Sequence, residues 1–389
     1  MMKIDERTMI RVAPFGMDLV LSMYGLAAPL LLIALKANPI ELGLTGSVTA
    51  AIHMALAHRM GPLSDRFGRR RLILIAPLLF ASSALIAAIT DQVKVVLMLS
   101  ALNGLCLSLF WPPLQAWVAE LQTGGLARNI GTLNLAWTAA YLVGPIVSGF
   151  LFSLYPRLPF LFAAGMSVLL FLLGYTSIHD RKATGVEREI HRHAETLGRH
   201  RNFLYAVWIA NFMSWFVLGN TRYQFPKLAT ELGIGPQVIG VLMGCLGLSQ
   251  FLGFFVLRAS SLWHFRKRYL FGAQAFGAVG ILTISFATKA PWFALALILI
   301  GLSISVTYYS SLLYALRLSA EKGRGTGRHE SILSMGALLG PLLGGLAAYY
   351  VGLRAPYLVC FFFLLAAVVF EGVLLWRSSV SGEELQRSL

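Results

Sequence analysis

Charge is scarce in this chain. Of its 389 residues, 13% are Asp, Glu, Lys or Arg and 57% are hydrophobic, and the mean hydropathy is +0.71. A soluble domain carries about a quarter charged residues, so a globule surrounded by water is excluded and most of the chain belongs in lipid. Cysteine is scarcer still. Cys106, Cys245 and Cys360 all fall inside apolar runs, which excludes a disulfide framework and says nothing of redox compartment. No H-E-x-x-H is present, because His329-Glu330 lacks the second histidine, and neither G-x-S-x-G nor G-x-x-x-x-G-K-[ST] occurs. An intramembrane enzyme and a nucleotide-driven pump are therefore disfavoured, and no metal or cofactor is expected. The net charge of +15 is not gathered in one patch, so it does not point to nucleic acid.

Long apolar runs are what the chain has instead. They lie at about 12–35, 42–60, 72–90, 93–116, 128–152, 157–178, 202–225, 236–257, 269–288, 291–315, 328–350 and 355–376. Each is about long enough to cross a bilayer as a helix, which predicts an all-α polytopic membrane protein with twelve crossings. The first run is too long for a signal-peptide core and is expected to remain as the first helix. With both termini cytoplasmic, only Lys36, Lys94, Arg157, Arg222, Lys227, Lys289 and Arg354 of the 32 basic residues fall on or near the outer side. The rest are inside, an imbalance that sets the orientation and accounts for the charge. The expected location is a bacterial cytoplasmic (inner) membrane.

The chain also repeats itself. At an offset of 197, Pro29, Leu35, Pro39 and Gly43 fall on Pro226, Leu232, Pro236 and Gly240, and Arg157 and Pro159 fall on Arg354 and Pro356. At 196, Gly144-Pro145 and Gly149 fall on Gly340-Pro341 and Gly345. Prolines and glycines that coincide at nearly one offset predict two pseudo-symmetric six-helix bundles, 1–178 and 202–389, joined by a polar cytoplasmic linker at 179–201. Within the linker, 187–197 has the pattern of a short amphipathic surface helix.

Between the second and third runs stands Gly61-Pro62-Leu63-Ser64-Asp65-Arg66-Phe67-Gly68-Arg69-Arg70-Arg71. A basic cytoplasmic loop accounts for the arginines but not for Asp65, Gly61 and Gly68 at these spacings. The stretch resembles the signature loop of the major facilitator superfamily, G-x-L-[AS]-D-[RK]-x-G-[RK]-[RK]-[RK], at every specified position. Glycines at both ends predict a tight turn. The resemblance implies a conformational latch built from Gly61, Asp65, Arg66, Gly68, Arg69 and Arg70, with the start of the eleventh helix, near Gly327–Ser331, as the contact; Glu120, at the inner end of the fourth run, reads as an ion-pair partner for Arg66, Arg69 or Arg128. The second half keeps Arg266, Lys267 and Arg268 at the related place but has neither the Asp nor the Gly. In the fifth run, Ala140 to Gly149 resembles the G-x-x-x-G-P-x-x-G-G motif that accompanies exporters in this superfamily, with Ala140 and Ser148 replacing two glycines. The eleventh run matches it fully at Gly336, Gly340, Pro341, Gly344 and Gly345.

Few ionisable groups lie deep, and a charge at the bilayer centre needs a cavity or a partner. Asp18 shares a helical face with Ser22, Gly25 and Pro29. It is either a cavity acid that carries a coupling proton or a boundary acid paired with a basic loop residue. His53 lies mid-span, with Gln250 at the repeat-related place, and is either a proton carrier or a hydrogen-bonded packing residue. Where many proton-coupled exporters of the superfamily have an arginine four residues before a glycine, this chain has Ser100 ahead of Gly104. Candidate cavity residues are Tyr24, Asn103, Trp111, Gln115, Trp137, Tyr141, Asn211, Trp215, Arg222, Gln250, Tyr308 and Tyr314, with Arg222 placed either there or at the outer interface by snorkelling. The expected function is secondary active transport of a small organic molecule by alternating access, with proton-coupled export. The alternatives are an uptake symporter, a lipid or lysolipid flippase, and a non-transporting receptor or scaffold. The expected partners are a substrate, a proton and membrane lipids, and the expected state is a monomer.

Overall fold

The computed structural model describes residues 5–120, 126–178, 193–260, 262–318 and 322–387. Some side chains within these ranges lie outside the description, Asp65 and Glu120 among them. The described residues form twelve helices and no strand. In order they are α1 (Glu6–Ala34), α2 (Pro39–Phe67), α3 (Arg69–Ile89), α4 (Val93–Glu120), α5 (Leu126–Leu154), α6 (Leu158–Ser177), α7 (His193–Glu231), α8 (Pro236–Ala259), α9 (Lys267–Phe286), α10 (Ala290–Leu318), α11 (Lys322–Tyr350) and α12 (Ala355–Arg387). All twelve contain a stretch long and apolar enough to cross a membrane.

Local chemistry explains several of the ends. Asp5 accepts a hydrogen bond from the Thr8 amide at 3.0 Å and caps α1. Asn38 and Glu41 form a reciprocal capping box at the start of α2, with Pro39 at the first helical position, where its missing N–H costs nothing. Arg157, just before α6, donates to the carbonyls of Ala87 and Thr90 at 3.3 and 2.7 Å and pairs with Asp91. Its repeat mate Arg354, just before α12, donates to the carbonyls of Ser285 and Ala287 at 2.7 and 2.8 Å. Each cation thus satisfies the free carbonyls at the C-terminal end of a neighbouring helix, α3 or α9.

Helices α1–α6 and α7–α12 repeat one set of packing pairs. α1·α5, α2·α4, α3·α6 and α1·α6 correspond to α7·α11, α8·α10, α9·α12 and α7·α12. The two sets meet along α2·α11 and α5·α8, which are themselves a repeat-related pair. At the face opposite the termini these seams run backbone to backbone. A Cβ on Gly43 would strike the Pro341 carbonyl and one on Gly240 the Pro145 carbonyl, while Gly345 abuts the carbonyl of Pro39 and Gly149 that of Pro236. Only glycine permits such an approach. Ser47 Oγ donates to the Leu338 carbonyl at 2.8 Å and Gln224 Nε2 to the Pro39 carbonyl at 3.0 Å across the same region.

Three expectations need correction. The turn in the 61–71 stretch is not framed by two glycines, because α2 runs through Gly61 to Phe67 and the chain reverses at Gly68 alone. Gly68 has φ +90° and ψ 128°, a backbone state that side chains strongly disfavour. α7 begins at His193, so the last part of the expected linker is already helix, while 179–192 lies outside the described residues, and with it most of the 187–197 helix expectation. α11 begins at Lys322 rather than near Gly327. Of the residues expected to form a latch, Arg66 is exposed at the end of α2, and Arg70 donates to the Tyr175 carbonyl near the end of α6 at 2.6 Å with its guanidinium over the Tyr175 ring.

Candidate functional site

Below the seams, between the two sets of six helices, lies a cavity of about 220 Å³. α1 contributes Asp18, Ser22, Tyr24 and Gly25, α2 contributes Thr45, Gly46, Thr49 and His53, and α4 contributes Ser100, Asn103, Trp111 and Gln115. Trp137, Tyr141 and Pro145 come from α5, and Trp215, Arg222 and Tyr223 from α7. Phe80 on α3, Tyr308 on α10 and Glu330 and Ser334 on α11 complete the polar and aromatic lining.

The acid on α1 is inside the cavity and not at a boundary. Asp18 is 2% exposed, its Oδ2 is buried without a hydrogen-bond partner, and Arg222 from the other half acts on it electrostatically. Ser22, one turn on, is turned to packing. Its hydroxyl reaches the Leu19 and Ala140 carbonyls at 3.1 and 3.2 Å, and Ser148 Oγ donates to the Met23 carbonyl at 2.8 Å. The two departures from the fifth-helix motif, Ala140 and Ser148, thus both face α1, whereas Pro145 and Gly149 face α8. His53 lines the cavity and is also hydrogen-bonded, with its Nδ1 3.2 Å from Ser108 Oγ. Ser100 lines it too, with its hydroxyl on the Val96 carbonyl, so the cation in this cavity comes from α7 and not from α4.

Arg222 does not snorkel to an interface. Its guanidinium lies 4.3 Å from the centroid of the Tyr141 ring and 5.8 Å from that of Trp215, and its Nη2 is buried without a hydrogen-bond partner. Aromatic rings continue from there. Trp137 packs edge-on against Tyr141, Phe254 and Tyr308 at 5.6, 5.7 and 5.5 Å, and Tyr308 faces His329 at 5.0 Å.

Tyr24, Asn103, Trp111, Gln115, Trp137, Tyr141, Trp215, Arg222 and Tyr308 of the expected cavity set are brought together. Asn211, Gln250 and Tyr314 are not. Asn211 and Gln250 are fully buried with both amide atoms unpaired and lie off the cavity wall. Tyr314 stacks on Phe265 at 4.2 Å and accepts a hydrogen bond from the Phe265 amide, within a separate cluster that includes Phe203 and Trp263. Glu330 was missing from the expected set. Gln115 Nε2 on α4 donates to its Oε1 at 3.2 Å, joining the two halves across the cavity. The available signal was a carboxylate inside the eleventh apolar run. A second buried acid, Glu371 on α12, accepts from Gln274 on α9 at 2.6 Å, away from the cavity. Among the described residues no group of His, Cys, Asp and Glu could hold a metal ion.

The family model for the Major Facilitator Superfamily matches residues 12–327 and 207–386. The chain belongs to the major facilitator superfamily. Among superfamily relatives, the quinolone resistance protein NorA of Staphylococcus aureus (strain COL) is 23% identical over 377 residues, covering 92% of this chain and 95% of the relative. Multidrug resistance protein 1 of Bacillus subtilis (strain 168) is 22% identical over 358 residues, covering 87% of each. A bacterial homologue of the human lysosomal transporter Spinster, solved in an inward-facing and occupied conformation, superposes with a TM-score of 0.73 at 15% identity, over 95% of this chain and 96% of that one. The fold is therefore that of superfamily transporters, and the protein is an integral membrane protein of that family.

Proposed function

We propose that the protein is a proton-coupled exporter that moves a small aromatic, amphipathic molecule across the bacterial cytoplasmic membrane by alternating access. Residues 1–178 and 202–389 are the two moving halves, 179–201, whose last part is the start of α7, joins them, both termini are cytoplasmic, and the working unit is a monomer. One observation carries this reading: a cavity between the two repeats holds an intramembrane carboxylate, Asp18, with an unpaired oxygen. A buried acid persists where it has a task, and a proton carrier facing the substrate is such a task. Export is supported by the quinolone and multidrug resistance relatives and by the proline-glycine motifs on α5 and α11. Arg222 supports one alternative, uptake by symport. Protonation of Asp18 would remove a negative charge that opposes a negatively charged solute beside the guanidinium, so proton and solute would bind together.

The test uses everted vesicles from cells making the protein, with a quinolone and an aryl carboxylate as probes. Export predicts that an inside-acid gradient drives accumulation of the probe. Accumulation only under the opposite gradient would replace export by symport, and no gradient-dependent movement of either probe would overturn coupled transport. Orientation is checked separately: a cysteine at Thr184 should escape an impermeant reagent added outside whole cells, and one at Ala290 should react.

A further inference from the structure

Export coupled through Asp18 alone uses no property of Arg222, yet it is the most demanding group in the cavity. A guanidinium keeps its charge at any physiological pH and presents its hydrogen-bond donors along its edge. Here its face is taken by Tyr141 from one half and Trp215 from the other, whereas Nη2 is buried and makes no hydrogen bond. Asp18 acts on it electrostatically, but the two form no ion pair within 4 Å, and Asp18 Oδ2 is unpaired as well. Tyr141 and Trp215 hold the cation, with the Tyr141 hydroxyl also in hydrogen-bonding range of it, and leave Nη2 free. A guanidinium positioned in this way, with Nη2 buried and unpartnered, suits a carboxylate. Trp137, Trp215 and Tyr308 stand beside it as walls for an aromatic body. One guanidinium beside two wall carboxylates, Asp18 and Glu330, suits a single negative charge and disfavours a doubly charged phosphate.

We propose that Arg222 recognises the carboxylate of a monoanionic aromatic substrate, with the ring of that substrate lodged against Trp137, Trp215 and Tyr308. The proposal rests on reading the cavity as the transport site, and because proton and anion would bind together there, such a substrate fits the symport alternative and not proton-for-substrate exchange. Asp18 then acts as the competing anion: its negative charge opposes the substrate carboxylate, and its neutralisation strengthens binding. Tyr24, His53, Tyr141, Tyr223, Tyr308 and Glu330 are the other titratable groups on the same wall, so the competition is tested by substitution at fixed pH.

Binding to the purified full-length protein is measured by calorimetry with three probes of one shape: 2-naphthoate, neutral 2-naphthamide and cationic 2-naphthylmethylamine. The expected result is that naphthoate binds at least about tenfold more tightly than either of the others. Arg222→Gln should erase that preference while the amide still binds, which also shows that the variant is folded. Arg222→Lys should keep part of it, as a charge without the fork. Asp18→Asn should tighten naphthoate severalfold and leave the amide unchanged. The assignment is overturned if the amide or the amine matches naphthoate on the unaltered protein, if Arg222→Gln keeps the preference, or if naphthoate does not bind. Preference for naphthoate with no counterflow of any probe would instead overturn the transport reading and leave the subsite standing.

Discussion

At the seams the backbone-to-backbone contacts come in repeat-related pairs. Pro39 and Gly43 on α2 meet Gly345 and Pro341 on α11 just as Pro236 and Gly240 on α8 meet Gly149 and Pro145 on α5. In the cavity the charged groups have no such counterpart. At the same offsets Asp18 falls on Trp215, Arg222 on Gly25, His53 on Gln250 and Glu330 on Asn134. The contrast separates two demands. Bringing two halves together along both sides of a cavity is a symmetric problem, solved by backbone contacts that tolerate nothing larger than hydrogen. Recognition and coupling, in the transport reading proposed above, are directional, and that reading assigns them to groups where the repeat has diverged.

The largest expected effects come from breaking the seams. Gly43→Ala and Gly240→Ala each push a methyl group onto a carbonyl across the seam, an overpacking that costs about 1–3 kcal/mol. If the contact exists in only one state of the transport cycle, that cost shifts its population by roughly 5- to 150-fold. Spin labels on the α1–α2 and α7–α8 turns should report equal widening in the two variants, with turnover falling in proportion. Gly165→Ala, which meets nothing within 4 Å, should change neither. A response to one seam glycine and not the other would break the symmetry argument.

Next in size are the two capping arginines. Arg157→Ala and Arg354→Ala each remove two charge-assisted bonds to helix-end carbonyls, which predicts a loss of about 1 kcal/mol apiece after allowance for partial exposure. Thermal unfolding should show similar shifts for both, slightly larger for Arg157 because Asp91 also loses its partner. The smallest effect is assigned to Asp65→Asn on the terminal face. As a latch against a helix N-terminus, Asp65 would contribute roughly 0.3–1 kcal/mol, and up to about 2 when partly buried. Turnover should fall severalfold, affinity should hold, and labels on α2 and α11 at that face should move apart. Wild-type turnover with unchanged distances would leave the 61–71 stretch a topology signal alone.

The architecture was legible in the sequence because lipid imposes it: runs of about twenty apolar residues mark crossings, and matched prolines and glycines mark the repeat. Even the seam residues were visible as that repeat, though not as partners. Legibility failed where lipid no longer constrains the chain. The start of α7 at His193, that of α11 at Lys322 and the polar end of α12 are helical beyond any hydropathy signal. Placing the start of the eleventh helix near Gly327–Ser331 assigned Glu330 to a surface latch and hid it as a cavity acid. Arg222 was ambiguous for a related reason, since α7 continues to Glu231 and carries it well below the interface. Asn211, Gln250 and Tyr314 show the remaining limit. A polar residue in a span announces a need for burial, but one helical step of 100° decides whether it meets a cavity or another helix.

The central claim is that the cavity charges without repeat partners carry the coupling, with Asp18 first among them. Reconstituted Asp18→Asn protein, beside His53→Gln, should be assayed for pH-gradient-driven accumulation and for substrate exchange at equilibrium. The account predicts that Asp18→Asn abolishes accumulation while exchange continues, because exchange needs no net proton movement, and that His53→Gln, with its imidazole engaged by Ser108, retains both. Undiminished gradient-driven accumulation by Asp18→Asn would contradict it.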